Sequence, residues 1–451
     1  MLGEIFERFV KQAPAAVMVR GILERVLSPD ALDALFERVA DKQYTRELLF
    51  SSIFQLMNLV VCKIHPSIHS AYQDNIEEMK VSVAAVYEKL NRVDISTSRA
   101  LVRDTASQLE ESIRAMNGTC APLIPGYRIK MLDGNCIEAT DHRLEVLRKI
   151  GSAPLPGKSL VIYDPELEMA TDVFPCEDGH AQERSLLGEI LPTLEASDVL
   201  VMDRNFCVRD FLHGICAQKA FFICRQHKGL PWEADGEKRY IGKSESGAIH
   251  EQSILVSDSE GNTKRFRRIS ITLKTPTRDG DKVLNIVTNL PESAADAKLI
   301  AEIYRKRWTI ETAFQELEAH LHSEINSLGY PKAALFGFCT ALVAYNALAV
   351  VKAALRSQHG EEKIANDVSG YYLAGHFARI YEGMMIAIPE EEWTFFQTMG
   401  LDAFTRTLQQ LAGNINLEKF KKHKRGPKKK MPKRTYDKKK PHVSTYKLLM
   451  K

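Results

Sequence analysis

From Tyr127 to Arg225 the chain alternates short apolar runs with amphipathic ones, and this alternation restricts the fold more than any other feature. Ile129 to Asp133 reads as a buried strand that ends in a turn at Gly134. Ser159 to Tyr163 and Glu168 to Phe174 read as a hairpin around Asp164-Pro165. Ala181 to Leu194 has the spacing of an amphipathic helix, and Val199 to Asp203 is a short apolar strand ending on its aspartate. A helix (Val208 to Gln218) and a strand (Ala220 to Arg225) follow. The order β-β-β-α-β-α-β places the region in the α/β class.

Beyond it, from about residue 231 to 290, Ile269, Ile271 and Leu273 alternate with polar residues, Asp279-Gly280 marks a turn, and Val283 to Val287 is β-prone. A β-rich insertion built from hairpins is expected there. Ser293-Ala-Ala-Asp296 has the capping-box pattern of a helix start, and that helix is expected to run to about Ser323.

The flanks read differently. Residues 1 to about 115 are helical throughout, with apolar residues at helical spacing in Leu48 to Cys62, Val81 to Leu90 (Ser82 as its cap) and Thr97 to Met116. The last two, joined by a turn and carrying Arg92, Arg99 and Arg103, have the outline of a DNA-reading unit. Leu335 to Val351 is free of charge, yet Thr340, Tyr345 and Asn346 interrupt it. A membrane span needs about 20 predominantly apolar residues, so a buried core helix is the expectation. Glu4, Glu7 and Arg8 lie where a signal peptide would be apolar. Eight scattered cysteines, with no C-x-x-C pair, read as buried thiols of a reducing compartment. Gly151 to Ser159 imitates a phosphate-binding loop but has five residues between its glycines, two of them proline, and precedes a strand.

Charge is uneven. The 451-residue chain has a net charge of +3, but Glu418 to Lys451 holds 15 Lys/Arg and 2 Asp/Glu, so this tail carries +13 and the body −10. The tail reads as a solvated end that also anchors a polyanion, with Lys424-Arg425-Gly426-Pro427-Lys428 able to follow a groove.

Asp133 and Asp203 each end an expected strand, and Glu311 lies on an expected helix. Carboxylates brought together at strand ends can hold two hard cations, which suits phosphoryl transfer. Magnesium's preference for oxygen explains acids rather than histidines. On a helix Tyr304, Arg307 and Glu311 share one face, so a phenol and a guanidinium can grip phosphates beside the carboxylate. An Arg307–Glu311 pair also simply stabilises a helix.

The segment Tyr304 to Phe314 resembles the Y-x2-R-x3-E-x6-K signature of the IS4-family transposases, most closely in Arg307-Trp308-x-Ile310-Glu311. Asp133-Gly134 and Asp203-Arg204-Asn205-Phe206 resemble that family's first two acidic blocks, and the resemblance covers about residues 40 to 355. It implies an RNase H-like catalytic core with a β-rich insertion, preceded by an all-α N-terminal domain and followed by helices and the basic tail. The corresponding division is 1–115 for a helical DNA-binding domain, 125–355 for the core with its insertion at about 231–290, 356–417 for C-terminal helices and 418–451 for the tail. It further implies a triad of Asp133, Asp203 and Glu311 binding two Mg2+ ions, with Mn2+ as substitute. Tyr304 and Arg307 would hold DNA beside the cut, and Lys424, Arg425 and Lys428 would bind it from the tail. Cut-and-paste transposition on double-stranded DNA follows, at element ends and target, by a homodimer pairing two ends in a bacterial cytoplasm, nucleoid-associated when bound and with no membrane. Two positions depart from the family: Glu318 stands where the signature has lysine, with His322 nearby on the same expected face, and Asn205 where glycine is common. A catalytically impaired, transposase-derived DNA-binding protein is the alternative, and Glu318 is the feature that favours it.

Overall fold

The computed structural model describes residues 3–41, 47–138, 144–148, 154–277, 280–423 and 442–450. Its centre is a mixed sheet, ten-stranded among those residues. Five strands form one half: β1 (Arg128–Ile137), β2 (Gly157–Asp164), β3 (Met169–Cys176), β4 (Asp198–Met202) and β5 (Phe221–Arg225). Their spatial order is β3-β2-β1-β4-β5. β1, β2 and β3 are antiparallel neighbours, whereas β4 and β5 run parallel to β1. The parallel strands β4 and β5 are joined by a crossover through one helix, Arg209–Ala217, as parallel pairing requires.

The sheet does not stop there. β6 (Gly247–Ser257), β7 (Thr263–Leu273) and β8 (Val283–Thr288) follow in order β5-β8-β7-β6. β8 pairs β5 through Ile286↔Arg225 and Val287↔Cys224. The β-rich segment therefore extends the central sheet, with each hairpin satisfying the edge left by the last.

Three expected elements come out differently. β1 continues past Asp133 to Ile137, because its partner β2 runs on to Gly157 opposite Ile137. Ala181 to Leu194 is three short turns, Glu183–Leu186, Leu187–Ile190 and Leu191–Thr193. Pro192, which lacks an N–H, rules out a continuous helix. The expected 293–323 helix starts at Asp296, whose carboxylate accepts from the Leu299 N–H at 2.8 Å. It is divided at Arg307 and ends at His320.

One face of the sheet is covered by helices from both ends of the chain. In the N-terminal part these are α1 (Pro14–Val26), α2 (Pro29–Val39), α3 (Phe50–Val61), α4 (Val83–Leu90) and α5 (Ile95–Ala115). Proline opens α1 and α2 at the position where its missing N–H costs nothing, and Ser28 and Ser82 cap α2 and α4. The helix Pro331–His359 is the axle of this layer, packing on α1, α3, α5 and β3 and on Leu401–Gly413. Its most apolar 18-residue window is entirely buried, so the membrane-like stretch is a core helix. It ends at Gly360, whose φ of 87° favours glycine. Residues from Phe6 to Phe420 share this one core. A second, smaller core on the opposite face holds Leu186, Ile190, Phe206, Phe211 and Phe222.

The polar residues in the axle helix are its fasteners. Asn346 is fully buried and pairs both backbone groups of Ala170 on β3, at 2.9 and 2.7 Å. Farther along, Lys352 (2.8 Å) and Arg356 both bind the Glu168 carboxylate. Burial raises the Glu168 pKa, but the two cations more than offset this and hold it below the usual 4.5. A depressed carboxylate adds stability above its ordinary pKa and loses it as pH falls through the lowered one. Glu168→Gln is expected to cost on the order of 2–3 kcal/mol at neutral pH, somewhat less than a wholly buried pair. Chemical denaturation at several pH values checks this: the gap between wild type and variant should narrow as pH falls below 4.5 and through the lowered pKa.

Candidate active site

The parallel ladder between β1 and β4 ends at Leu132↔Met202, so the next residue on each strand, Asp133 and Asp203, projects beside the other. Asp203 ends its strand as expected. Asp133 stands within β1, at the point where β4 stops flanking it. The Asp203 carboxylate accepts from the Asn205 N–H at 2.7 Å and caps the turn Arg204–Phe206. Asp133 Oδ1 accepts from the Gly134 N–H at 2.9 Å.

Two helices bring the remaining residues, α7 (Ala297–Lys306) and α8 (Trp308–His320), which follow the crossover helix α6 (Arg209–Ala217) in the chain. At their junction the Arg307 N–H bonds Tyr304 O (3.1 Å) and the Ile310 N–H bonds Arg307 O (3.2 Å), which are tight i→i+3 bonds. Arg307 is buried, and its guanidinium spans two acids: Nη1 lies 2.7 Å from Asp133 Oδ2 and Nη2 lies 2.7 Å from Glu311 Oε1. The Arg307–Glu311 pair is thus part of a three-residue bridge and more than a helix staple. Trp308, the next residue, is 63% exposed.

Burial pushes the Asp133 carboxyl up to about 6, and the nearby Asp203 and Glu311 charges add to this against Arg307 and the Gly134 N–H. The Asp203 and Glu311 charges thus act on Asp133 in the same sense as its burial. Burial likewise pushes the Tyr304 phenol up to about 12 despite Arg307 and Arg225, so it stays a neutral hydrogen-bonding group.

Among the described residues no three metal-ligating side chains converge closely enough to grip an ion as they stand. The donor set nevertheless fits a hard cation. It is all carboxylate oxygen, it carries an excess of negative charge, and a cation, the Arg307 guanidinium, already bridges two of its members.

A fourth acid, which nothing in its local sequence singles out, lies against β1 and the turn that follows β4. Glu183, in the turn Glu183–Leu186, places its carboxylate over Gly134 and accepts from Asn205 Nδ2 at 3.4 Å. Arg184 Nε donates to Asn205 O at 2.7 Å.

Other expected sites divide. Lys424, Arg425 and Lys428 lie outside the described residues. Near the end of the tail, Val443–Ser444 pairs with Pro154–Leu155, and Ser444 Oγ (2.7 Å) and Lys447 Nζ (3.0 Å) bind Asp178. Arg99 faces inward, bonded to both Asp172 oxygens (3.1 and 2.9 Å) and lying over the Phe174 ring. It is unavailable to read DNA, because α5 packs on β3. Glu318 is exposed on α8. His322 lies beyond the end of that helix, its N–H bonded to Val61 O at 2.8 Å, so the helical-face argument does not reach it.

Comparison with known proteins gives a consistent picture. A family described as a transposase DDE domain matches residues 157–347, a span that includes Asp203 and Glu311 and begins after Asp133. A putative transposase, InsL, of insertion sequence element IS186A from Escherichia coli (strain K12) is 26% identical over 236 residues, covering 44% of this chain and 58% of that protein. The transposase of insertion sequence element IS421 from Escherichia coli gives the same identity and coverage. The putative transposase y4zB of Sinorhizobium fredii (strain NBRC 101917 / NGR234) is 23% identical over 198 residues, covering 39% of this chain and 52% of its own. The chain thus spans little more than half the length of the curated relatives it matches. Among solved structures, the cryo-EM structure of the piggyBac transposase synaptic complex with hairpin DNA aligns over 85% of this chain and 87% of its own. Its sequence identity is 11% and its TM-score 0.42, too distant to carry an argument.

Proposed function

We propose that the chain is a DNA transposase acting by metal-dependent cut-and-paste transposition, a reading supported by the match of residues 157–347 to the transposase DDE domain and by the similarity to insertion-sequence transposases. The reaction is hydrolysis at the ends of an element, followed by attack of the freed 3′-hydroxyl on target DNA. The observation that carries this reading is the Arg307 guanidinium bridging Asp133 and Glu311, with Asp203 following the neighbouring strand where its ladder to β1 ends. The strand order β3-β2-β1-β4-β5, with the first three antiparallel and the last two parallel to β1, supports an RNase H-like core for them.

Two magnesium ions, or manganese in their place, would be held by Asp133, Asp203 and Glu311 and would activate the attacking oxygen and neutralise the leaving one. The chain's own residues do the rest. The interior strands β1 and β4 carry the two aspartates where their ladder ends, and α8 brings Glu311 from a separate element. Arg307 and Tyr304 offer a forked cation and a neutral phenol to the phosphates flanking the cut. The helical region 1–115 and the tail 418–451 supply further DNA contact, and a homodimer pairs two ends in the bacterial cytoplasm.

The test uses purified protein and linear DNA carrying the sequences that flank its own gene. With magnesium, strand breaks mapped to the nucleotide should fall at the element boundary. Specific binding with no cut in either metal overturns the reading in favour of a DNA-binding protein without catalysis, the role that Glu318 favours.

The tail has its own test. Truncation after Leu417 is unsuitable, since it also removes buried Phe420 and the Val368–Lys421 bridge. Changing Lys424, Arg425 and Lys428 to Gln together spares both. Each lost phosphate contact lowers the slope of log K against log[salt] by about 0.9, so a decrease of about 2–3 is expected by fluorescence anisotropy. An unchanged slope removes these three residues from the interface.

A further inference from the structure

We propose that Glu183 is a positioning residue of the active site, holding the Asp203 turn against β1; the inference rests on the transposase reading of that site. Glu183 belongs to neither strand. It comes from the short turn Glu183–Leu186, anchored by buried Leu186 and Leu187 in the smaller core.

From that anchor its carboxylate reaches two places. Oε1 lies over Gly134, so closely that a Cβ there would overlap it and stand 2.8 Å from Glu183 Cδ. Oε2 accepts from Asn205 Nδ2 at 3.4 Å, while the adjoining Arg184 holds the Asn205 carbonyl at 2.7 Å. Asn205 is therefore fixed at its side chain and its carbonyl, and its N–H is the group that binds Asp203 Oδ1 at 2.7 Å. The chain of contacts Glu183–Asn205–Asp203 orients one acid of the triad, and the contact with Gly134 ties it to the strand bearing another.

Alternation along β1 sends the residue 134 position to the face opposite Asp133. Glu183 accordingly acts through Asn205, as an outer partner of the carboxylate cluster. This accounts for two residues together. Glycine follows Asp133 because any side chain would expel the Glu183 carboxylate. Asparagine follows Arg204 because its amide can donate to that carboxylate while its N–H caps Asp203.

The experiment compares full-length wild type with Glu183→Ala, Glu183→Gln, Gly134→Ala and the Gly134→Ala/Glu183→Ala double variant. Three quantities are read: the single-turnover cleavage rate at saturating DNA in magnesium, the Kd for DNA, and the Kd for Mn2+ without DNA. Outer partners of metal-binding groups typically contribute about 10–100-fold. Glu183→Ala should therefore slow cleavage and weaken Mn2+ binding by about tenfold or more, with DNA affinity unchanged. Glu183→Gln keeps an acceptor for Asn205 and should recover most of both. Gly134→Ala displaces a flexible carboxylate at little cost in folding, so it should reproduce Glu183→Ala, and the double variant should be no worse than either.

Wild-type rate and Mn2+ affinity in Glu183→Ala overturn the proposal, as does a Glu183→Gln as defective as Glu183→Ala, which would make the charge itself the contribution. If Glu183→Ala does not fold, Glu183→Gln and Gly134→Ala decide alone. If wild type makes no cut in either metal, the transposase reading fails, while the Mn2+ series still decides the role of Glu183.

Discussion

Replacing Glu311 by glutamine is expected to slow metal-dependent strand cleavage on the order of a thousandfold or more and to leave DNA binding nearly intact. The substitution removes one charge and almost no volume. Glutamine can still accept a hydrogen bond from Arg307, which now reaches Glu311 at 2.7 Å, so the junction of α7 and α8 should hold. What is lost is an ionised oxygen at a site whose proposed work is to hold cations beside the reacting phosphate, and such groups act together rather than additively. Glu311 is also more solvent-open than Asp133, so its loss is the cleaner probe of chemistry of the two. Single-turnover cleavage and anisotropy on the same DNA separate the two effects. A variant that loses binding and cleavage in parallel would show Glu311 to be part of the DNA interface or of the fold, and would remove it from the metal-binding set.

The three acids were legible in the sequence for different reasons. Asp203 was read from a local pattern, an apolar strand with an acid at its end, and β4 indeed stops at Met202. Glu311 was read from its neighbours, since Arg307-Trp308-x-Ile310-Glu311 carries the family resemblance. Asp133 is expected at a strand end but stands within β1, because β1's length is set by β2, and the length of a pairing partner is not written in the strand itself. The same limit hid the way β8 joins β5 and extends the sheet. It also hid the shared core, in which α1, α3 and α5 pack on a helix more than 200 residues away in sequence.

Glu183 was beyond local reading altogether. Its partners lie 49 residues before it on β1 and 22 after it in the Asp203 turn, and nothing in Gln182-Glu183-Arg184 marks it. Amphipathic spacing suggested a helix there, whereas Pro192 and the need to fill the smaller core with Leu186, Leu187 and Ile190 produced separate turns. It is the turn geometry that aims the carboxylate. Departures from periodicity thus coincide with the site, as they do again at Arg307, where a break in the expected helix lets one guanidinium reach both Asp133 and Glu311.

That break makes the second large prediction. In metal-free buffer Arg307→Ala should destabilise the chain by on the order of 2–4 kcal/mol, because it strands an acid in a site with two others. The Asp133 side dominates, since Asp133 is mostly buried and Glu311 is half exposed. Added magnesium should recover much of the loss and raise the melting temperature of the variant more than that of wild type. A ligand stabilises in proportion to how tightly it binds the folded state, and removing a resident cation leaves the carboxylates more attractive to an incoming one. Cleavage should still fall by about a hundredfold or more, since the fork that grips phosphate is gone. Arg307→Lys should behave more like alanine than like wild type. An ammonium is a single point of charge and cannot span Asp133 Oδ2 and Glu311 Oε1 at once, as the two nitrogens of Arg307 do at 2.7 Å each. Melting curves in EDTA and in magnesium, run beside cleavage assays, check the whole set. Equal melting of wild type and Arg307→Ala in EDTA, with no extra gain from magnesium, would mean that the bridge stabilises nothing and that Arg307 serves the DNA alone.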